Sequence, residues 1–355
     1  MHEYVSIRSG GGGCTTPRNC STSVGNFCGS EDLGRLQNGF IASNIFRYMR
    51  SIFSSGGIKR ERISRLGLQD GFGTTPDAVR MITNGVNKNL RVASDHGDVF
   101  ARFSPASLHS RDCLKSEAAL LACLGELGVP CCDLAKLDGA SVIGPARVND
   151  VEYNVLFSQA IPGVPLIANR QDAAAFGRSL AQLHRAPLNR PAAKFSRDIK
   201  GEIPSIIKPV FQELIELAGK SSRWSDALCG VCHGDAWLGN AIKRDGMAVL
   251  FDFEFAGIGP LVYDIATFIW ALRAVGNANE YSVFNGFVEG YRSEHNVTFG
   301  EEQLRMNLLH KEINNIKFLC EHIAMSREVE VATARFARET LNFALSGGLS
   351  RYRWE

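Results

Sequence analysis

Residues 231–272 read VCHGDAWLGNAIKRDGMAVLFDFEFAGIGPLVYDIATFIWAL and hold the densest set of chemically capable side chains in the chain. His233-Gly234-Asp235 is followed by Asn240, five positions after the Asp. Next comes an apolar run of strand length and composition, Ala248-Val249-Leu250-Phe251, and then Asp252-Phe253-Glu254. The donors are two carboxylates, an amide oxygen and a third acid, all on a loop–strand–loop unit. Phosphoryl transfer asks for such a set. It needs a carboxylate to orient the attacking hydroxyl and accept its proton, and oxygen ligands to hold Mg²⁺ against the phosphates. Asp235 suits the first task. Asn240 and Asp252 suit the second, with Glu254 as a helper.

The order H-x-D-x-x-x-x-N, strand, D-x-E resembles the catalytic and metal loops of kinase-like enzymes. With Gly rather than Arg after His233, it is similar to the aminoglycoside phosphotransferase family and its relatives, the choline, homoserine, methylthioribose and fructosamine kinases. Ala256-Gly257-Ile258-Gly259-Pro260 and Tyr263-Asp264-Ile265-Ala266 carry the likeness further. The resemblance implies that His233 props the loop, that Trp237 packs on the substrate side, and that Asp264 caps a helix or braces the loop.

The elements that must position these groups lie on both sides. Upstream, residues 80–92 read as strand, glycine turn, strand. The turn resembles the family loop G-G-x-[ST]-N-x-x-[YF]-x-V, one residue shorter and with Asn84 in place of a Gly. That likeness assigns Asn84, Gly85 and Asn87 to the phosphates of a nucleotide. His96-Gly97-Asp98 repeats the H-G-D letters, but Phe103 stands where the Asn should be, so the stretch reads as a turn. Val99 to Phe103 alternates like a strand. The family resemblance makes Arg102 its phosphate-binding cation and Glu117, on a helix from Ser110 to Leu127, the acid that pairs with it; a plain surface ion pair is the alternative. Gly128-Val129-Pro130 should end that helix. Ser141–Ile143 and Val151–Phe157 read as strands. Ser158 to Gly163 resembles the family hinge, which implies adenine recognition by backbone groups at Gln159 and Ile161.

Downstream, apolar periodicity predicts helices over 172–186, 204–219, 264–274, 280–294, 301–325 and 328–346. His184 reads as structural. Gly219-Lys220-Ser221 echoes a phosphate-loop ending, but Leu214 stands where that loop requires Gly. From 265 to 355 there are eleven Glu, no Asp and ten Lys plus Arg. That balance does not predict the acidic lining a polycationic aminoglycoside needs, although Glu280, Glu289, Glu312 and Glu321 could cluster. Trp270, Tyr281, Phe284 and Tyr291 are candidates for an aromatic cage around a quaternary ammonium, with core packing as the alternative.

Composition sets the outer limits. The chain has 355 residues, 45% hydrophobic and 21% charged, enough for sizeable cores. A net charge of +2 gives no nucleic-acid footprint, and no apolar run is long enough to span a membrane. The ten cysteines include the adjacent Cys131-Cys132, and Cys113, Cys123 and Cys320 fall in apolar helical patterns. Free, buried thiols in a reducing cytoplasm are expected. Cys229-Gly-Val-Cys232-His233 matches a haem-attachment pattern, but His233 belongs to the longer motif. A zinc site lacks a second ligand pair. Residues 1–65 form a Gly/Ser/Thr/Cys-rich extension. Within it, Ile41, Ile45, Met49, Ile52 and Phe53 share one face of a basic helix. Packing or no role is favoured there over membrane contact or targeting.

Together these readings predict an α+β, protein-kinase-like two-lobe fold. A small antiparallel sheet lobe at 66–160 binds nucleotide, and a mainly helical lobe at 161–355 binds the acceptor. The implied reaction is ATP- and Mg²⁺-dependent phosphorylation of a hydroxyl on a small molecule. A choline, ethanolamine, homoserine or sugar-type acceptor is the alternative. A protein Ser/Thr acceptor and a non-catalytic scaffold rank behind both. The first is disfavoured by the short span from Asp252 to Asp264, the second by the presence of every catalytic group.

Overall fold

The computed structural model describes residues 79–93, 97–137, 139–148, 151–187, 201–219, 227–276, 279–352 and 354. The extension at 1–65, with its basic amphipathic stretch, lies outside them, as do His96, Lys220 and Ser221.

Five antiparallel strands come first, in the order β1-β2-β3-β5-β4. They are β1 Val79–Asn84, β2 Lys88–Val92, β3 Val99–Pro105, β4 Val142–Val148 and β5 Val151–Gln159. Period-two alternation buries Leu90, Val92, Ala101, Phe103, Val155 and Phe157 in a small core of their own. Between β3 and β4 runs α1, Arg111–Glu126. The Ser110 hydroxyl accepts the Cys113 N–H at its start, and Gly128 at φ 73° follows its end. Leu114, Leu121 and Leu124 fill its inner face.

After the two-residue β6 (Val164–Pro165), α2 (Arg170–His184) and α3 (Lys208–Gly219) enter the main core. β7 (Cys229–Cys232) pairs antiparallel with β10 (Gly257–Pro260). Between them a 3-10 turn at Leu238–Asn240 leads into the hairpin of β8 (Ala241–Arg244) and β9 (Met247–Leu250). Asp245 (φ 51°) and Gly246 (φ 79°) close that hairpin in the left-handed region, as an Asp-Gly two-residue turn requires.

Four helices complete the chain: α4 Val262–Val275, α5 Glu280–Glu294, α6 Glu301–His322 and α7 Arg327–Leu345. α2 and α5 meet backbone to backbone. A Cβ on Gly177 would collide with Phe287 O, and one on Gly290 with Ala174 O. Phe176, Phe268 and Phe287 stack beside this contact, with centroids 5.5 and 4.3 Å apart. Each such ring contributes about 2–3 kcal/mol by leaving water, so the helical half has the larger hydrophobic anchor. The small sheet with one helix, followed by a mainly helical body, is the two-lobe architecture expected.

The aromatic-cage expectation is corrected here. Phe284 and Tyr291 are fully buried, packed with Tyr281, Tyr352 and Trp354. Rings already enclosed by one another cannot receive an ammonium. Cys113 is exposed and Cys123 and Cys320 half-buried, so among the described residues the buried free thiols are Cys131, Cys132 and Cys232.

Candidate active site

The loop after β7 is held from below. Asp264, in the first turn of α4, accepts the N–H groups of His233 (2.6 Å) and Gly234 (2.9 Å). It also pairs with His184 Nε2 at 3.0 Å, and His184 Nδ1 lies 2.7 Å from Tyr291 Oη. Burial raises the cost of the Asp264 charge, but these bonds outweigh it and hold its pKa below the ordinary carboxylate range. Asp264 therefore braces the loop. It does not cap α4, whose N-cap is Leu261 with no side-chain bond. His184, Cys232 and Asp264 place ligand atoms within 4.8 Å of one another. Tyr291, Pro260, His233 and Gly234 already use those atoms in hydrogen bonds.

Gly234 sits at φ 81°, and a Cβ there would collide with Phe255 O, so the loop requires glycine twice over. His233 is fully buried and reaches Phe251 O at 2.9 Å. Desolvation lowers its pKa, which keeps the ring neutral. His233 thus props the loop. The Trp237 ring lies over Gly239, where no Cβ would fit.

Asp235 is held at both carboxylate oxygens. Asn240 Nδ2 donates to Asp235 Oδ2 at 3.0 Å and to its backbone O at 2.9 Å. The Asn240 amide oxygen has no hydrogen-bond partner among the described residues. On the other side, Lys311 Nζ from α6 donates to Asp235 Oδ1 at 2.7 Å. Sequence reading did not single out Lys311, an ordinary lysine in the middle of a long helix.

Asp252 lies just past β9 at φ 66°. A non-glycine residue in that region is strained by about 1–3 kcal/mol and persists where its surroundings impose it. Burial and the neighbouring Glu254 carboxylate push the Asp252 pKa up. Arg102 Nη1 donates to Asp252 Oδ1 at 3.1 Å, and the guanidinium grips Glu117 with two bonds. Arg102 and Glu117 are both buried, so the surface-pair alternative is excluded.

Glu254 accepts from Asn87 Nδ2 at 2.6 Å and pairs with His109 Nε2 at 3.0 Å. Burial opposes its charge, but these bonds and Arg102 prevail and pull its pKa down. Asn87, in the turn between β1 and β2, thus reaches across to the segment after β9 that carries Asp252 and Glu254. Sequence reading missed His109. Its only signal is its place before the Ser110 cap, and its partner stands 145 positions away. Asn84 ends β1 and Gly85 opens the turn. At the end of β5, Gln159 N–H bonds Asp133 O (2.8 Å) and Ala160 N–H bonds Asp98 O (2.7 Å). Ile161 N–H has no partner among the described residues.

The acidic-cluster expectation fails. Glu289 pairs with Arg170, Glu321 lies 3.8 Å from His322, and Glu312 is fully buried beneath Trp270 Nε1. Glu280 belongs with Tyr352 in the aromatic cluster.

Asp235, Asn240, Asp252, Arg102 and Glu117 therefore come together where the sheet meets the helices of a kinase-like fold. Residues 79–305 match the model of the phosphotransferase enzyme family, and the chain belongs to that family, whose members transfer phosphate to an alcohol group. An uncharacterised protein of Deinococcus radiodurans is 26% identical over 253 residues, 64% of this chain and 72% of its own. An amicoumacin kinase solved with AMP-PNP, Ca²⁺ and its ligand superposes with a TM-score of 0.64 at 15% identity, covering 80% of this chain and 93% of that one. A microcompartment-associated aminopropanol kinase gives 0.64 at 19% identity, covering 82% and 99%. A spectinomycin phosphotransferase gives 0.56 at 11%, covering 81% and 98%. At these identities the likeness establishes the fold. Among the described residues, no helix is long and apolar enough to cross a membrane.

Proposed function

We propose that the chain is an ATP- and Mg²⁺-dependent kinase that phosphorylates a hydroxyl on a small molecule. Residues 66–160 hold the nucleotide and 161–355 the acceptor. The observation that carries this reading is the division of labour around Asp235. Asn240 spends its N–H₂ on Asp235 and keeps its amide oxygen. Asp252 spends one oxygen on Arg102 and keeps the other. Two uncommitted hard oxygen donors beside a crowd of carboxylates suit Mg²⁺, and that ion, when bound, would neutralise phosphate oxygens there.

The chain's own residues do the rest. Arg102, fixed by Glu117, presents a permanent charge to the phosphates. Asn84 at the end of β1, with Gly85 and Asn87 in the turn that follows, would cover them. The Gln159 carbonyl and the open Ile161 N–H offer adenine a backbone edge. Asp235 orients the acceptor hydroxyl and takes its proton. A reaction drawing on ATP, in a chain with free cysteines, fits the cytoplasm. The solved neighbours are kinases of small molecules by name, and this class is what carries over. A protein substrate is disfavoured because β10 pairs with β7 directly after Glu254, leaving no long exposed segment.

The test is a phosphate-transfer screen with ATP and Mg²⁺ across aminoglycosides, choline, ethanolamine, homoserine, methylthioribose and ketosamines, with Asp235→Ala as control. Transfer that vanishes in the control supports the reading. Failure to bind any nucleotide with Mg²⁺ overturns it.

A further inference from the structure

Around Asp235, the helical half supplies a cation where amine-binding kinases would be expected to supply acids. Lys311 Nζ lies 2.7 Å from Asp235 Oδ1, with the side chain only 12% exposed. The same ammonium stands 5.3 Å from the centre of the Trp270 ring. That ring is fixed in turn, since its Nε1 donates to Glu312 Oε2 at 2.6 Å and its edge meets Phe336. Lys311, Trp270 and Glu312 thus form a built support spanning α4 and α6. The cage expected of Trp270 does not exist, because Lys311 already lies over its face.

An acceptor entering here brings its hydroxyl against one carboxylate and towards a triphosphate. An acceptor with its own ammonium would meet that field favourably and would be repelled by Lys311. An acceptor with a carboxylate would be repelled by the field unless the protein placed a cation beside the reacting hydroxyl. Lys311 is that cation, and Asp235, its ion-pair partner at 2.7 Å, is the group the acceptor hydroxyl would take over.

We propose that the acceptor is a carboxylate-bearing alcohol, whose acid group pairs with Lys311 as its hydroxyl replaces the ammonium on Asp235 Oδ1. This rests on the kinase reading and narrows its substrate class. Phosphate passes from ATP to the hydroxyl oxygen, ADP leaves, and the hydroxyl proton goes to Asp235.

The test uses the full chain with ATP and Mg²⁺ and matched acceptors: glycolate, glycerate, 3-hydroxybutyrate and homoserine against ethanolamine, 1-amino-2-propanol and choline. ADP formation is measured for wild type, Lys311→Met, Lys311→Arg and Lys311→Glu. At least one acid-bearing acceptor should exceed its amine counterpart tenfold or more in kcat/KM. Lys311→Met should reduce that value at least tenfold, mainly through KM. Lys311→Arg should restore much of it, and Lys311→Glu should shift preference towards the amines. Better turnover of the amines by wild type overturns the proposal. So does an equal loss for both classes in Lys311→Met, which marks a purely structural lysine, or no turnover of any acid. ATP binding with Mg²⁺ by the same preparation separates these outcomes from failure of the kinase reading itself.

Discussion

The two flanks of Asp235 are built on different principles. On the sheet side, Arg102, Glu117, Asp252, Glu254, Asn87 and His109 are joined by hydrogen bonds and ion pairs of 2.5–3.1 Å, with Arg102 and Glu254 each bridging two partners. On the helix side, Lys311 stands as a single cation supported by an aromatic face and a buried acid. On the proposed reading, the first flank would handle the part of the reaction common to phosphoryl transfer, so its residue types would be dictated by chemistry. The second would face the acceptor, where each enzyme has its own requirement.

That contrast can be broken from either flank. The largest effect is expected from Asp252→Ala, which removes an uncommitted oxygen and the partner of Arg102. Turnover should fall on the order of 10²–10³-fold. The Mg²⁺-dependent part of ATP binding should vanish, as measured by titration with and without the ion.

Arg102→Met should come next. It strands Glu117 in a buried site, and breaking such a pair costs about 3–5 kcal/mol. A fall in Tm of roughly 10 °C in thermal unfolding is expected. An unchanged Tm would mean that the pair is not buried in solution.

Gly234→Ala tests the joint between the flanks. The strained φ and the collision with Phe255 O should cost about 1–3 kcal/mol and lower kcat more than the KM for ATP. Steady-state kinetics at saturating acceptor would show this.

The smallest effect belongs to the helix side. Burial lifts the Glu312 carboxyl from its ordinary 4.5 to about 7, despite bonds from Trp270, Thr340 and Asn315 that oppose the shift. Between those pH values the folded chain holds a proton that the unfolded chain has released, so stability falls as pH rises through this window. Glu312→Gln should flatten that slope in denaturant titrations at pH 5 and pH 8. A slope equal to wild type would exclude Glu312 as its source.

The same contrast explains what could be read from the sequence. Asp235, Asn240 and Asp252 were legible because one loop–strand–loop unit fixes their spacing, and Arg102 and Glu117 because a strand and the next helix do. Helix positions were legible from apolar periodicity. Lys311 was not, since it stands 76 positions from Asp235 on a helix that carries a second lysine, Lys317, of the same type. His109 was hidden for the same reason. The aromatic residues misled because core packing and ligand cages draw on the same residue types, and only the fold decides which rings enclose one another.

The central claim is that Asp235 performs chemistry between a nucleotide flank and an acceptor flank without itself holding the nucleotide. The most direct measurement compares wild type and Asp235→Ala for ATP binding with Mg²⁺ and for phosphate transfer to a wild-type acceptor. Turnover should drop about 10²–10⁴-fold while ATP affinity stays within a few-fold of wild type. Near-normal turnover in the variant, or loss of ATP binding with it, would contradict the claim.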